Sequence, residues 1–165
     1  MVRVNLGCPN FHEGWVCVDL HPRDSAVVRD DAVNYMTGRP PESVSEVMTK
    51  NLLEHLPNVQ QFLKACYDAL EDGGRICVIT DNAEWLPFYL PVAVPRLGVG
   101  AHAVKKYALR FNTVHYSIFS PMHLTLHLTD AGFSDVRVNR LWRYALARLR
   151  GIGFKRGARR TRHVS

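Results

Sequence analysis

Hydrophobic residues along the chain fall into short runs and alternations punctuated by glycine, proline and acidic turns. Runs from Val2 to Cys8 and from Trp15 to Leu20 predict two strands, the first apolar enough for a buried central position. Ala26 to Arg29 predicts a short third strand and Val44 to Thr49 a fourth, after the loop "GRPPES" at 38–43. Asn58 is suited to cap a helix whose Phe62, Leu63, Cys66, Ala69 and Leu70 share one face. That helix is expected to close at Asp72-Gly73-Gly74, where glycine can take the left-handed conformation. Arg75 to Thr80 predicts a fifth strand. Ser120-Pro121 opens a second helix ending at Gly132, and the alternation of Asp135 to Trp142 predicts a sixth strand. A short helix is expected over Ala101 to Leu109, and a seventh strand near Tyr144 to Leu149 is left open.

Strands separated by helices or crossovers imply an α/β domain with a mainly parallel sheet covered on both faces. In such sheets ligands sit outside the carboxyl ends of the strands, near the switch in strand order. One connection departs from this plan. Only Pro9 to Glu13 separate the first turn from Gly14, whereas a helical crossover needs about a dozen residues. The first helix is therefore expected to be shortened or absent.

Composition narrows the class. The chain has 165 residues, 47% of them hydrophobic and 22% charged, as in ordinary globular domains. Its longest apolar stretch, "WLPFYLPVAVP" at 85–95, is too short and too proline-broken to span a bilayer. Four scattered cysteines form no CxxC pair, which reads as reduced thiols in a cytoplasmic protein. The net charge of +6 is uneven: residues 136–165 hold ten Lys or Arg and no acid, while the rest hold eleven basic and fifteen acidic residues. The expected organisation is a domain over 1–142, with a substrate-side insertion or lid at 82–119 and a basic, partly disordered tail at 143–165.

The strand ends carry the chemistry. "NLGC" at 5–8, "GWVCVDL" at 14–20, "DDA" at 30–32, "NLLEHLPN" at 51–58 and "ALEDGGRICVITDNAEW" at 69–85 occur in order. "FSPMHLTLHLTDAGF" at 119–133 completes the series. Together they resemble the class I S-adenosylmethionine-dependent methyltransferases, and within them a small subgroup with an Asn-Leu-Gly-Cys-Gly first loop. The resemblance implies a Rossmann-like class I methyltransferase fold and a bound S-adenosylmethionine, with S-adenosylhomocysteine as product.

It also implies which residues meet the cofactor. Leu6, Gly7, Cys8 and Pro9 would form the turn beside its methionine portion. Asp19 and Leu20 would meet the ribose, Asp31 and Ala32 the adenine, and Asn51, Leu52 and His55 would line the cleft below. Read as residues alone, a single strand-ending Asp is more often a helix cap or turn former. Two of them, each closing its own strand, favour ligand contact. Pro9 stands where the subgroup has glycine, which removes an N–H from the turn.

Methyl transfer from an activated sulfonium needs alignment more than any one side chain. The candidates for assisting the acceptor are His55 and Tyr116, with Asp81 and His115 nearby in the cleft. Relatives that carry Glu-x-x-Glu-His bind a divalent metal there; Asn51 replaces the first acid here, so no metal is expected. Aromatic residues Trp85, Phe88, Tyr89, Tyr107, Phe111, Tyr116 and Phe119 mark the insertion as a lid, an interface or an acceptor wall. The expected partners are a small-molecule or macromolecular acceptor, with nucleic acid or another polyanion on the basic tail. A homodimer is left open. The competing reading is a non-catalytic binding protein for S-adenosylmethionine or nucleic acid, with a degenerate methyltransferase fold.

Overall fold

The computed structural model describes residues 1–85, 115–142 and 146–157. The expected helix at 101–109, the insertion residues Phe88, Tyr89, Tyr107 and Phe111, and the last residues of the tail lie outside these. Seven strands form one sheet: β1 (Val2–Leu6), β2 (Val16–Asp19), β3 (Val28–Arg29), β4 (Val44–Lys50), β5 (Leu70–Asp81), β6 (Ser134–Arg140) and β7 (Arg148–Phe154). Their spatial order is β3-β2-β1-β4-β5-β7-β6. The first five run parallel, and β7 is inserted antiparallel between β5 and β6. The order reverses between β1 and β4, which places a switch point at their carboxyl ends.

Among the described residues three helices cover one face: α1 (Ala32–Thr37), α2 (Val59–Ala69) and α3 (Pro121–Asp130). Their buried Met36, Phe62, Leu63, Leu124 and Leu128 meet Val4, Leu6, Val18, Val47, Ile76, Val78 and Leu149 from alternate strand positions. Capping follows the sequence at two starts. The Asn58 side chain accepts the Gln61 N–H, and Ser120 accepts that of His123 with Pro121 in the first turn.

Two sequence expectations are corrected, and two features were not expected. Helix α1, which no alternation announced, follows β3 because the Asp31 carboxylate caps it. Helix α2 stops at Ala69, and the chain enters β5 at once. The Asp72-Gly73-Gly74 turn therefore bends a strand, with the Gly73 N–H bonded to the Lys155 carbonyl. The stretch assigned to a tail contains β7, whose seven residues pair with β5 and β6, so the sheet runs past the boundary expected at 142. Finally, among the described residues the second sheet face carries no helix. Residues 7–15 and 20–27, which connect β1 to β2 and β2 to β3, form turns and bends only. No helix among the described residues is long and apolar enough to cross a membrane.

Candidate functional site

A cavity of about 300 Å³ opens at the switch point. Its walls come from the β1 turn (Gly7), the end of β2 (Val18 to His21), the β3–α1 junction (Asp30 to Ala32) and the segment after β4 (Asn51, Leu52, His55 to Pro57). This volume sits at the low end of small-molecule sites.

The floor depends on Gly7. Its φ is +72°, in the left-handed region, where L side chains are disfavoured. A Cβ there would lie 3.3 Å from the Cβ of Leu52, so a side chain would press on the post-β4 segment as well as strain the turn. The turn is pinned by the Gly7 and Cys8 N–H groups, which both donate to the Val18 carbonyl, at 2.9 and 3.2 Å. Pro9 keeps a structural use, since its carbonyl accepts the Arg23 N–H at 2.8 Å.

Three carboxylates form one wall. Asp19 Oδ1 accepts the His21 N–H at 2.8 Å, which fixes the carboxylate at the end of β2. Asp30 Oδ1 accepts the Asp31 N–H at 2.7 Å. Asp31 Oδ1 accepts from Val33 and Asn34, at 2.9 and 3.1 Å, so the helix-cap explanation of this residue holds and leaves its Oδ2 for a ligand. Leu20, Ala32, Leu52 and Leu56 supply the apolar part of the lining.

Of the residues expected at the cofactor, Gly7, Asp19, Leu20, Asp31, Ala32, Asn51, Leu52 and His55 line the cavity. Leu6, Cys8 and Pro9 are not among its lining residues. Leu6 is fully buried and packs toward the helices, on the opposite side of its strand from Asn5. Cys8 packs in a small cluster with Cys17 and Val27. Burial pushes its thiol up to about 11, so it is a poor nucleophile. The Tyr116 side chain is 69% exposed; its backbone N–H donates to the Glu54 carbonyl at 2.8 Å. Asp30, His21, Leu56 and Pro57 were missed, although the doubled Asp30-Asp31 offered a signal.

Beyond His55 lies a second polar group at the ends of β4 and β5. Glu54 is 1% exposed. It sits in a single 3-10 turn, Leu53–His55, and its Oε2 accepts the Thr80 hydroxyl at 2.8 Å. Burial raises its pKa above the ordinary carboxylate range. The His55 and His115 rings meet edge to face at 4.7 Å between centroids. His115 Nδ1 lies 3.9 Å from Asp81 Oδ2, and Arg148 Nη2 lies 3.7 Å from Asp81 Oδ1. Donor atoms of Glu54, His55 and His115 all lie within 4.8 Å of one another. The sequence expectation of no metal rested on Asn51; His115, sixty positions on from His55, completes a donor set that local spacing could not reveal.

Comparison with known proteins places this geometry. No family model matches the chain. A curated "Ubiquinone biosynthesis O-methyltransferase" of Xanthomonas euvesicatoria is 31% identical over 117 residues, 68% of this chain and 46% of the relative. One of the same name from Cupriavidus pinatubonensis is 27% identical over 127 residues, 73% of this chain and 47% of the relative. The chain thus spans about half the length of the curated relatives it matches. Among solved structures, an S-adenosylmethionine-dependent methyltransferase from Archaeoglobus fulgidus superposes with a TM-score of 0.62 at 16% identity, over 93% of this chain and 86% of the other. Phosphoethanolamine N-methyltransferase 2 of Haemonchus contortus, solved with S-adenosyl-L-methionine, gives 0.65 at 13% identity, over 95% and 50%. The chain therefore has the Rossmann-like fold of the class I S-adenosylmethionine-dependent methyltransferases and is related in sequence to curated O-methyltransferases.

Proposed function

We propose that the chain is an S-adenosylmethionine-dependent methyltransferase acting on an oxygen of a small hydroxylated acceptor. The observation that carries this reading is the switch-point cavity, where a glycine-dependent floor faces a wall of Asp19, Asp30 and Asp31. The residues fit the cofactor. Carboxylate oxygens accept from ribose hydroxyls and an adenine amino group, the apolar lining suits the purine face, and the negative wall favours a cationic ligand. Bound there, S-adenosylmethionine would supply an activated methyl group on a sulfonium. Asp19 would hold the ribose and Asp31 Oδ2 the adenine edge, with the Ala32 backbone N–H facing the ring. Asn51 and Leu52 would support the adenosyl portion from below.

His55 joins the two ends of the cleft, because it lines the cavity and touches the His115 ring. On the acceptor side His115, close to Asp81, is placed to take the proton that a hydroxyl loses as it is methylated. The names of the curated relatives support oxygen as the acceptor atom. A second reading of the same group rests on the convergence of Glu54, His55 and His115. These are carboxylate and imidazole donors of the kind that hold a divalent cation, which would fix the acceptor oxygen and lower its pKa.

Methyl transfer from labelled S-adenosylmethionine to a panel of catechols and other phenols tests the proposal. Turnover that falls when His115 becomes Ala supports it, and chelator sensitivity restored by Mg²⁺ or Zn²⁺ supports the metal-assisted form. Cofactor binding without turnover on any acceptor leaves the non-catalytic alternative. A chain that does not bind S-adenosylhomocysteine contradicts both.

A further inference from the structure

The sheet has two faces of opposite character. Parallel sheets are ordinarily covered on both, yet all three described helices lie on one. Strand register builds the other face in rows. One row runs Arg3, Glu46, Arg75 and Phe154 across β1, β4, β5 and β7. It is extended by Trp15, whose ring centroid lies 4.0 Å below the Arg3 guanidinium. The next row is apolar or neutral: Cys17, Asn5, Met48, Cys77 and Ile152, closed by Arg137 on β6. A third row holds Lys50, Ile79, Arg150 and Asn139, and at the end of the sheet Asp81 faces Arg148.

At these paired positions Arg3, Lys50, Arg75, Arg137, Arg148 and Arg150 outnumber the carboxylates Glu46 and Asp81. Glu46 bridges Arg3 and Arg75, at 3.0 and 2.7 Å, so one anion serves two cations. Met48, Cys77, Ile79, Ile152 and Phe154 are half-buried, whereas Arg3, Arg75, Arg137 and Arg150 are exposed. An apolar band thus lies between Arg3 and Arg75 on one side and Lys50 and Arg150 on the other.

We propose that this face of the sheet, which bears none of the described helices, is a docking surface for single-stranded nucleic acid. Charge complementarity calls for a polyanion, and it opposes a second copy of the chain, because two such faces would meet with like charge. A sheet face with an apolar centre can take base faces. Trp15, Phe154 and the arginines offer stacking planes, and the cation rows track phosphates. Apart from Asp81 and Arg148, which also border the acceptor side, the face shares no residue with the cleft, and its test with Arg150 and Arg137 is independent of the methyltransferase reading.

Fluorescence anisotropy of the full chain with a labelled oligouridylate of about 20 nucleotides tests it. Binding should appear at low salt and weaken with a log–log slope of about −0.7 per phosphate contact. Arg150→Glu should weaken it about tenfold. Lys64→Glu, the same charge change on the exposed surface of α2, should alter it less than about twofold. Should Arg150→Glu lose its circular dichroism signature, Arg137→Ala replaces it, with a loss of about threefold expected. Absence of binding at low salt overturns the proposal, as do equal losses in Arg150→Glu and Lys64→Glu. Equal affinity for polyglutamate or for phosphatidylglycerol vesicles also overturns it, by assigning the face to an acidic protein or a membrane.

Discussion

Carboxylates serve the two ends of the cleft in different ways. At the cofactor end Asp19, Asp30 and Asp31 stand at strand ends, partly solvated, and each spends one oxygen on a backbone N–H of its own turn. They are positioned without being buried, and keep an oxygen for a ligand. At the acceptor end Glu54 is fully enclosed, bonded to Thr80 and flanked by two imidazoles. There burial costs the ionised form, and a proton or a cation relieves it. On the proposed function the same functional group would grip a neutral sugar at the rim, while in the interior it favours positive charge.

Substitutions that separate these uses sharpen the contrast, beginning with the largest effect. Asp19→Ala should weaken S-adenosylhomocysteine about 10- to 100-fold by calorimetry, the worth of hydrogen bonds to a charged group, and leave thermal stability little changed. A large loss of stability instead would make Asp19 structural. Gly7→Ala should cost about 1–2 kcal/mol in urea unfolding from its positive φ alone, and should weaken the cofactor further by pushing Leu52 out of place. Asp31→Ala removes a helix cap and should cost about 1 kcal/mol. Asp31→Asn should preserve the cap and lose only affinity. Unequal behaviour of these two variants separates the cap from the ligand contact.

Glu54 gives the smallest signal and a distinct sign. Its folded pKa is raised, so the folded state holds the proton more tightly than the unfolded chain. That contribution to stability is present below the ordinary Glu value and is lost as pH rises through the raised one. Melting temperature should fall across that window in the wild type and stay flat in Glu54→Gln. A wild-type curve parallel to the variant's would mean that Glu54 titrates alike in the folded and unfolded states, and one that falls toward low pH would mean that a resident cation holds it ionised.

How far the sequence could be read differs between the same two regions. Strands β1, β2 and β4 and the caps Asn58 and Ser120 were legible because apolar alternation and capping chemistry are local. Asp19 and Asp31 were legible as strand-ending acids for the same reason. Helix α1 was not, because its six residues are too few to show a period. Strand β7 was hidden by its arginines, which occupy the face without described helices and make the strand look like a solvated tail. His115 joins Glu54 only through the tertiary fold. That the described helices all lie on one sheet face was likewise invisible, although the short connection after Gly7 pointed to a shortened or absent first helix.

The most direct measurement is a crystal structure of the chain grown with S-adenosylhomocysteine. It should show the ribose hydroxyls on Asp19, the adenine edge beside Asp31 and Ala32, and the sulfur pointing toward His55. Adenosine density elsewhere on the molecule, or an empty switch-point cavity at saturating ligand, would contradict the account.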